Sequence, residues 1–342
     1  MSSAGTSARS TAPSAAVAPP RPVALLLPGQ GSQHPSMARG LYGHEPVFTA
    51  VMDEFFMLME HEGKELREDW LSEEPRVALD DASRAQPLVF AIGYAVGRTL
   101  LDRGIVPCAV LGHSVGELAA AALAGVFGLA DAARIMSARS SAMATTAPGG
   151  MLAVAAGPEE LAPLLPAGPD GRPGAVAVGA VNAPAQTVLS GLEADLSAVE
   201  QVLREAGVMW RRVPALQAFH CPAVAGAADA FEVALRETPL QRPSIRLWST
   251  RTGLPVRGPE ATDPAFWAQQ LAAPVLFWPA LDHLLRHGDF TLVETGPSQG
   301  LSMLARRHPQ VRARRSDVVP LLPPRAGAEL EFFGAAVSRL GA

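Results

Sequence analysis

A short glycine-flanked serine motif constrains this chain more than any other feature. Residues 112–116 read Gly-His-Ser-Val-Gly, after the apolar run 105–110 and before the small-residue run 118–129. This pattern predicts a strand, a sharp turn and a buried helix. In such a nucleophile elbow the oxygen of Ser114 is exposed above the sheet, where backbone N–H groups of the helix face its target. A helix N-cap serine beside turn glycines is the alternative interpretation.

Composition narrows the class of protein. The chain has 342 residues, a formal net charge of −5 and 18% charged residues, which is typical of a soluble globular protein and argues against nucleic acid as a partner. Two cysteines, Cys108 and Cys221, are too few for a disulfide framework, so we expect a reducing, cytoplasmic environment. No run of uncharged apolar residues is long enough for a membrane span, so we expect no membrane partner.

The first part of the chain predicts a tail and then a buried strand. Residues 1–20 are mostly Ala, Ser, Thr and Pro, a composition typical of a disordered tail. The apolar run 22–27 ends at a Gly-Gln-Gly turn, residues 29–31, and predicts a parallel strand. Because the turn lacks both the dinucleotide and the P-loop pattern, we expect it to offer an open backbone N–H rather than to bind phosphate.

The rest of the chain predicts an α/β protein with an insert. Residues 149–216 follow the order β-α-β-β-α-β, which predicts a small ferredoxin-like α+β subdomain. Residues 21–148 and 217–342 predict a large hydrolase-like subdomain with a mainly parallel sheet, including an apolar helix over 88–100 whose first turn contains Pro87. We expect the active site in the cleft between the two, beyond the C-terminal ends of the strands.

A serine nucleophile needs a base within hydrogen-bond reach, and eight histidines are available. His113 neighbours Ser114, but on the turn its side chain is expected to point away. His283 and His287 lack the glutamate of a zinc motif and a third ligand, so they predict a solvated helix face and no metal site. His220 lies where the insert returns to the main body, and its residue pattern alone leaves a structural or catalytic role open.

Eight motifs occur in a fixed order and together carry a resemblance. They are PGQGSQ (28–33), RAQP (84–87), GHSVGE (112–117), the arginine of MSARSSAM (136–143), VNAPAQTVLSG (181–191), QAFH (217–220), FWAQQLAAPVLF (266–277) and ETGPSQG (294–300). Over about residues 23–325 the chain resembles the malonyl-CoA:acyl-carrier-protein transacylase family, which includes the acyltransferase domains of polyketide synthases. Each motif is weak alone, but their shared order favours this family.

The resemblance implies a role for each matching residue. Ser114 matches the nucleophile that a CoA thioester acylates, and His220 matches the base that activates first the serine and then the phosphopantetheine thiol. The backbone carbonyl of Gln270 would orient this histidine. The backbone N–H groups of Gln30 and Val115 would form the oxyanion hole.

The resemblance also implies a substrate class. Arg139 matches the arginine that binds the free carboxylate of malonyl-type groups, a task for which a guanidinium fork is suited and a lysine is not. Gln86, His113 and Asn182 are assigned to polar substrate-binding positions.

Phe219 lies in a Gln-Ala-Phe-His tetrad that resembles the HAFH pattern of malonyl selection. A bulky Phe219 would leave little room for an α-substituent. One methyl group is worth only about 1–3 kcal/mol in such a pocket, which makes this a preference. Gln217 departs from the pattern, since histidine is expected there.

The implied partners are an acyl carrier protein and malonyl-CoA or a related acyl thioester, with no permanently bound cofactor. Because only the tail precedes the first strand, we expect a free-standing monomer that acts in trans. Carrier proteins of these pathways are acidic helical bundles, so the arginine-rich stretch 306–315 would help to dock them or is simply a solvated basic segment.

Three alternatives stay open at this stage. One is a discrete acyltransferase that moves an unusual acyl group between carrier proteins; Arg139 and Phe219 argue against a bulky uncharged group, but Gln217 leaves this alternative open. Another is an α/β-hydrolase esterase, against which the chain has no His-Gly-Gly-Gly motif and a candidate base in mid-chain. The third is a non-catalytic carrier-binding module that keeps the fold.

Overall fold

The structure is a computed structural model that describes residues 21–165 and 174–341, so the tail predicted over 1–20 lies outside the described residues. The strands are β1 (Val23–Leu27), β2 (Ala109–Gly112), β3 (Gly149–Val154), β4 (Val176–Ala183), β5 (Gln186–Leu192), β6 (Trp210–Val213), β7 (Arg246–Trp248), β8 (Thr291–Glu294) and β9 (Asp317–Pro320). The helices are α1 (Pro46–Leu58), α2 (Glu60–Leu71), α3 (Ala82–Asp102), α4 (Val115–Leu123), α5 (Leu129–Ala144), α6 (Pro158–Leu161), α7 (Glu193–Glu205), α8 (Ala225–Arg236), α9 (Gly258–Ala261), α10 (Pro264–Ala268), α11 (Phe277–Arg286), α12 (Gly300–Ala305), α13 (Pro309–Arg312) and α14 (Glu329–Arg339). None of the helices in these two described ranges is long and apolar enough to cross a membrane.

The large sheet has five parallel strands in the order β7-β2-β1-β8-β9. Its central strand β1 is apolar on both faces: Leu25 and Leu27 pack in one hydrophobic cluster, whereas Ala24 and Leu26 pack in another. Burial on both faces is what a parallel sheet covered by helices requires. The predicted parallel sheet is confirmed, and β1 lies where the strand order reverses, so β2 and β8 end beside it at one edge.

The small sheet is antiparallel, with the order β4-β5-β3-β6. Together with α6 and α7 its strands follow the predicted β-α-β-β-α-β order, which is ferredoxin-like. Leu152, Leu189 and Leu196 belong to a separate hydrophobic cluster beneath this sheet. The small subdomain therefore has a core of its own.

One segment of the large subdomain joins the two sheets, and we call residues 270–276 the bridging segment. The backbone N–H of Val275 donates to the carbonyl of Gly179 at 2.9 Å, and the carbonyl of Val275 accepts from Val181 at 2.8 Å. The bridging segment thus continues the small sheet beyond β4. The same segment also contacts His220, whose backbone N–H donates to the carbonyl of Leu271 at 2.7 Å.

Two helix boundaries differ from the sequence prediction. Pro87 lies inside α3 rather than in its first turn, because α3 begins at Ala82. The Asp81 side chain caps this earlier start by accepting from the N–H of Ser83. The small-residue run 118–129 does not form one helix, since Gly125 has φ +80° and the left-handed glycine ends the helical path before α5 begins.

Candidate active site

Ser114 lies in a tight turn between the C-terminal end of β2 and the start of α4. Its backbone has φ 54° and ψ −123°, a positive-φ conformation that costs a non-glycine residue about 1–3 kcal/mol. A Cβ on Gly112 would lie 2.2 Å from the carbonyl oxygen of Gly116, and a Cβ on Gly116 would lie 2.1 Å from that of Leu27. Close packing therefore requires both glycines, and the predicted strand, turn and helix are present.

His220 lies beside Ser114, although 106 residues separate the two in sequence. Nε2 of His220 is 2.7 Å from Oγ of Ser114. Nδ1 is 3.0 Å from the carbonyl oxygen of Gln270 and 3.1 Å from that of Ala273. Because carbonyls only accept, we assign the ring proton to Nδ1, which leaves Nε2 to accept the serine proton. Ala273 was missed in the sequence, since a carbonyl contact carries no residue-type signal.

Burial keeps the imidazole of His220 neutral. The residue is 4% exposed, and burial, followed by the positive charge of Arg139 and then by His113, lowers the pKa of His220 to about 3. The hydrogen bonds to the carbonyls of Gln270 and Ala273 act in the opposite direction. At neutral pH this imidazole is unprotonated and can accept a proton.

Arg139, on α5, is completely buried at 0% exposure. Its Nε donates to Oε1 of Gln86 at 2.7 Å, and its guanidinium carbon lies 6.0 Å from the ring centre of Phe231. Among the described residues, neither Nη1 nor Nη2 has a hydrogen-bond partner. Burial lowers the pKa of Arg139 to about 9, so the group still carries its charge at neutral pH. An anion would strongly stabilise this buried positive charge. The two open Nη groups match the two oxygens of a carboxylate.

Two glutamines connect Arg139 with the Gly-Gln-Gly turn after β1. Gln86 lies on α3, where its Oε1 accepts from Arg139 and its Nε2 donates to Oε1 of Gln30 at 2.9 Å. Gln86 is 3% exposed, so this relay runs through the protein interior. The predicted substrate-binding residues Arg139 and Gln86 are therefore brought together with Gln30.

The Gly-Gln-Gly turn packs directly against the elbow. A Cβ on Gly29 would lie 2.4 Å from the carbonyl oxygen of His113 and 3.1 Å from Cβ of Ser114. In the turns and caps of residues 21–165 and 174–341, the backbone N–H groups of Gln30 and Val115 donate to no other backbone group. Both N–H groups are thus available to an oxygen that becomes negative next to Ser114.

Ser114 and His220 line a cavity of about 160 Å³, to which both subdomains contribute. Its wall includes Gln30 and Phe219 from the large subdomain and Asn182 and Arg211 from the small one. The other lining residues are His113, Met151, Ala153, Ala180, Gln186, Val188, Val213 and Ala215. The cavity lies in the cleft where the sequence predicted the site.

The prediction that His113 points away from Ser114 is wrong, since its side chain lines the same cavity. Nε2 of His113 is 2.8 Å from Oδ1 of Asn182, and its ring centre lies 5.8 Å from that of Phe277. The hydrogen bond to β4 turns the ring across the cleft. The assignment of His113 and Asn182 to the substrate side is compatible with this position.

The two histidines at the C-terminal end of α11 lie elsewhere. His283 accepts from Nε1 of Trp248 at 3.1 Å, and His287 is exposed. Within residues 21–165 and 174–341, no three histidine, cysteine, aspartate or glutamate side chains are grouped as metal ligands.

Comparisons with known proteins identify the family of this chain. The family profile described as "Acyl transferase domain" matches residues 25–341. A phenolphthiocerol/phthiocerol polyketide synthase protein of Mycobacterium tuberculosis is 37% identical over 289 residues, which are 84% of this chain and 19% of that protein. The chain thus spans less than a fifth of this curated relative.

Two solved structures are also similar. The acyltransferase domain from the second module of the salinomycin polyketide synthase is 35% identical with a TM-score of 0.81, over 92% of this chain and 72% of that one. The acyl transferase domain of SpnD, solved in complex with 2-(pent-4-yn-1-yl)malonyl, is 29% identical with a TM-score of 0.86, over 95% of this chain and 77% of that one.

The family profile covers nearly all of the described chain, and the fold agrees with that of the solved domains. The resemblance inferred from eight ordered motifs is thereby confirmed. The chain belongs to the acyl transferase domain family.

Proposed function

We propose that this chain transfers a malonyl-type group from a CoA thioester, through an ester on Ser114, to the phosphopantetheine thiol of an acyl carrier protein. Arg139 carries the proposal, because it is a buried guanidinium with two open Nη groups, close enough to the candidate base for its charge to lower the pKa of His220. A malonyl group supplies the free carboxylate that such a clamp binds, whereas an acetyl group does not. The SpnD domain solved with a malonyl derivative supports the same substrate class.

The first half of the reaction forms the acyl-enzyme. Nε2 of His220 takes the hydroxyl proton of Ser114 while Oγ attacks the thioester carbonyl. The oxyanion accepts from the N–H groups of Gln30 and Val115, and losing one such donor typically costs about 2.7–4 kcal/mol of transition-state stabilisation. The intermediate collapses, the carbon–sulfur bond breaks, and the proton on Nε2 passes to the leaving CoA sulfur.

The second half repeats these steps with the acceptor. Nε2 of His220 takes the proton of the phosphopantetheine thiol, and the sulfur attacks the ester carbon on Ser114. Collapse breaks the ester bond and returns the proton from Nε2 to Oγ. The carbonyls of Gln270 and Ala273 hold Nδ1–H in both halves, which keeps the ring in one tautomer and orientation.

Arg139 has a second effect on the base. Its charge is among the causes that lower the pKa of His220, so it opposes the imidazolium that forms during transfer. A bound malonyl carboxylate would neutralise Arg139 and relieve this repulsion. A malonyl group would therefore favour its own transfer electrostatically, whereas an acyl group without a carboxylate would not.

The acceptor side of the site is basic. Exposed arginines occupy all five basic positions of the arginine-rich stretch, which are Arg306, Arg307, Arg312, Arg314 and Arg315. Arg307 lines an open cavity of about 420 Å³ that shares Ala153, Gln186 and Arg211 with the catalytic cavity. This face would dock an acidic carrier protein with its arm directed inward.

Intact-mass spectrometry tests the proposed function. Incubation with malonyl-CoA is expected to add one malonyl group to the wild-type chain, and a separate holo carrier protein is then expected to remove it and gain the same mass. Because the bulky Phe219 lines the cavity, methylmalonyl-CoA is expected to react about 5- to 150-fold more slowly, the range that about 1–3 kcal/mol represents. Hydrolysis with no transfer to any carrier would favour the esterase, and the absence of any adduct would favour a non-catalytic module.

The low pKa of His220 predicts an acylation rate that changes little with pH. We expect kcat/KM for acylation by malonyl-CoA to stay within about twofold between pH 5 and 8, because a lowered pKa keeps the base unprotonated as the pH falls. A histidine of ordinary pKa, about 6.5, would be only about 3% neutral at pH 5, so kcat/KM for acylation would fall about 30-fold. Rapid-quench mass spectrometry gives the rate, and circular dichroism verifies folding at each pH. An acid limb centred near pH 6.5 would contradict the prediction.

A further inference from the structure

The buried carboxyl group of Glu117 has no role in the steps above. Glu117 lies in the first turn of α4, is 1% exposed, and its backbone N–H donates to the carbonyl of Ser114 at 2.8 Å. Its Oε2 accepts from the N–H of Thr250 at 2.9 Å and from Oγ1 of Thr250 at 2.5 Å. Burying a carboxyl group destabilises the fold unless the group is hydrogen-bonded. Its position beside a candidate nucleophile therefore calls for a functional explanation.

The side chain of Gln270 is also close to the carboxyl group of Glu117. It lies near enough to Glu117 to lower the pKa of that carboxyl, against the larger raising effect of burial. Among the described residues, Oε1 of Glu117 and both side-chain amide atoms of Gln270 are buried and have no hydrogen-bond partner. The Ser249 side chain lies near the same carboxyl group and lowers its pKa more than Gln270 does, so Gln270 and Ser249 both face Glu117 beside Thr250.

These contacts lead to both ends of the bridging segment. At its start, the side chain of Gln270 faces Glu117 while its carbonyl accepts from Nδ1 of His220 at 3.0 Å. At its end, the N–H of Leu276 donates to the carbonyl of Thr250 at 2.5 Å, and Thr250 is itself held by Glu117. The segment that carries the orienting carbonyls is thus hydrogen-bonded at its end to Thr250, which Glu117 holds, and at its start it lies beside Glu117.

We infer that Glu117 is a positioning residue for acyl transfer: its carboxyl group fixes the bridging segment so that the carbonyls of Gln270 and Ala273 aim His220 at Ser114. This rests on the proposed Ser–His function. A displacement of about 1 Å in a catalytic group can reduce a rate by about 100-fold. Loss of the carboxyl contacts is therefore expected to reduce the chemical step while leaving the binding of malonyl-CoA unchanged.

Two substitutions at Glu117 distinguish a role of its hydrogen bonds in positioning the base from a role of its side chain in packing. Glu117→Met keeps the length of the side chain but removes its hydrogen bonds, and we expect the single-turnover acylation rate at saturating malonyl-CoA to fall about 10- to 100-fold with KM changed less than about threefold. Glu117→Gln keeps an acceptor for Thr250 and adds a donor toward Gln270, so we expect it to retain the rate within about threefold. Equal rates for the two variants, or a loss confined to KM, would overturn the inference.

Two threonine variants provide a second test, which applies if Glu117→Met does not fold. Thr250→Val removes the hydroxyl bond to Glu117, and Thr99→Val removes another buried hydroxyl bond, within α3, from Oγ1 to the carbonyl of Ala95 at 2.9 Å. We expect only Thr250→Val to lower the acylation rate, by about 3- to 10-fold, the range that the net worth of about one hydrogen bond represents. Matching rates for the two valine variants would reject the inference. A wild-type chain that forms no adduct would instead reject the proposed function.

Discussion

Ser114→Ala is expected to abolish acyl-enzyme formation, so that the chain keeps its unmodified mass after incubation with malonyl-CoA. Ser114 supplies the oxygen 2.7 Å from Nε2 of His220, and alanine leaves that base without a proton to take. In a serine protease, removal of the nucleophile costs on the order of 10⁶-fold in kcat. Transfer to a holo carrier protein should be lost to the same degree, which a mass assay at long incubation can measure.

The matched control for this variant is Ser316→Ala. Ser316 is also buried, and its Oγ accepts from the N–H of Phe290 at 2.9 Å, away from the cavity. This variant should form the adduct at the wild-type rate. Ser114→Ala should keep the wild-type melting temperature, because alanine meets the same positive-φ strain as serine. A malonyl adduct on Ser114→Ala would place the nucleophile elsewhere.

Arg139→Ala is expected to lower kcat/KM for malonyl transfer by roughly 30-fold to several thousand-fold, corresponding to the about 2–5 kcal/mol lost when one partner of a buried charge pair is removed. Acetyl transfer should not fall, because an acetyl group has no carboxylate for Arg139 to bind. It is expected to rise slightly, since removal of the guanidinium takes away a charge that opposes protonation of His220. The ratio of the two rates is the measurement.

The matched control is Arg134→Ala, on the same helix. Arg134 is exposed and pairs with Asp131 three positions earlier, an interaction typically worth less than about 1 kcal/mol. Its removal should leave both rates unchanged. Arg139→Lys should recover little of the malonyl rate, because an ammonium group cannot form the bidentate contact. Equal losses of malonyl and acetyl transfer in Arg139→Ala would contradict the role of a carboxylate clamp.

Local sequence patterns predicted much of the fold, and the two wrongly predicted helix boundaries have local causes. The apolar residues of β1 indicated a strand buried on both faces, and the insert was recognisable from its alternating strands and helices. Pro87 misled the prediction of α3, because the Asp81 cap lies six residues before the proline and the residues between them are a mixture of polar and small side chains. The break at Gly125 was missed although glycine is a weak helix former, because the run around it stays apolar while its backbone turns left-handed.

The site was less accessible to local reasoning. The turn at Ser114 followed from its two glycines, whose neighbours leave no space for a side chain. His220 could be selected only through resemblance, because its distance from Ser114 is set by the long-range packing of the bridging segment. His113 and Ala273 show the limit of such reasoning: a bond to Asn182 turns the first, and the second contributes a carbonyl that any residue type carries.

The backbone pairing of Val275 with β4 has a consequence for protein engineering. The small subdomain could be exchanged between related enzymes as a single module, with junctions near residues 149 and 216. Here such a graft would pair a foreign β4 with the native residues 270–276, whose carbonyls aim the base. A chimaera of this protein should therefore take the bridging segment from the same parent as the insert that it extends.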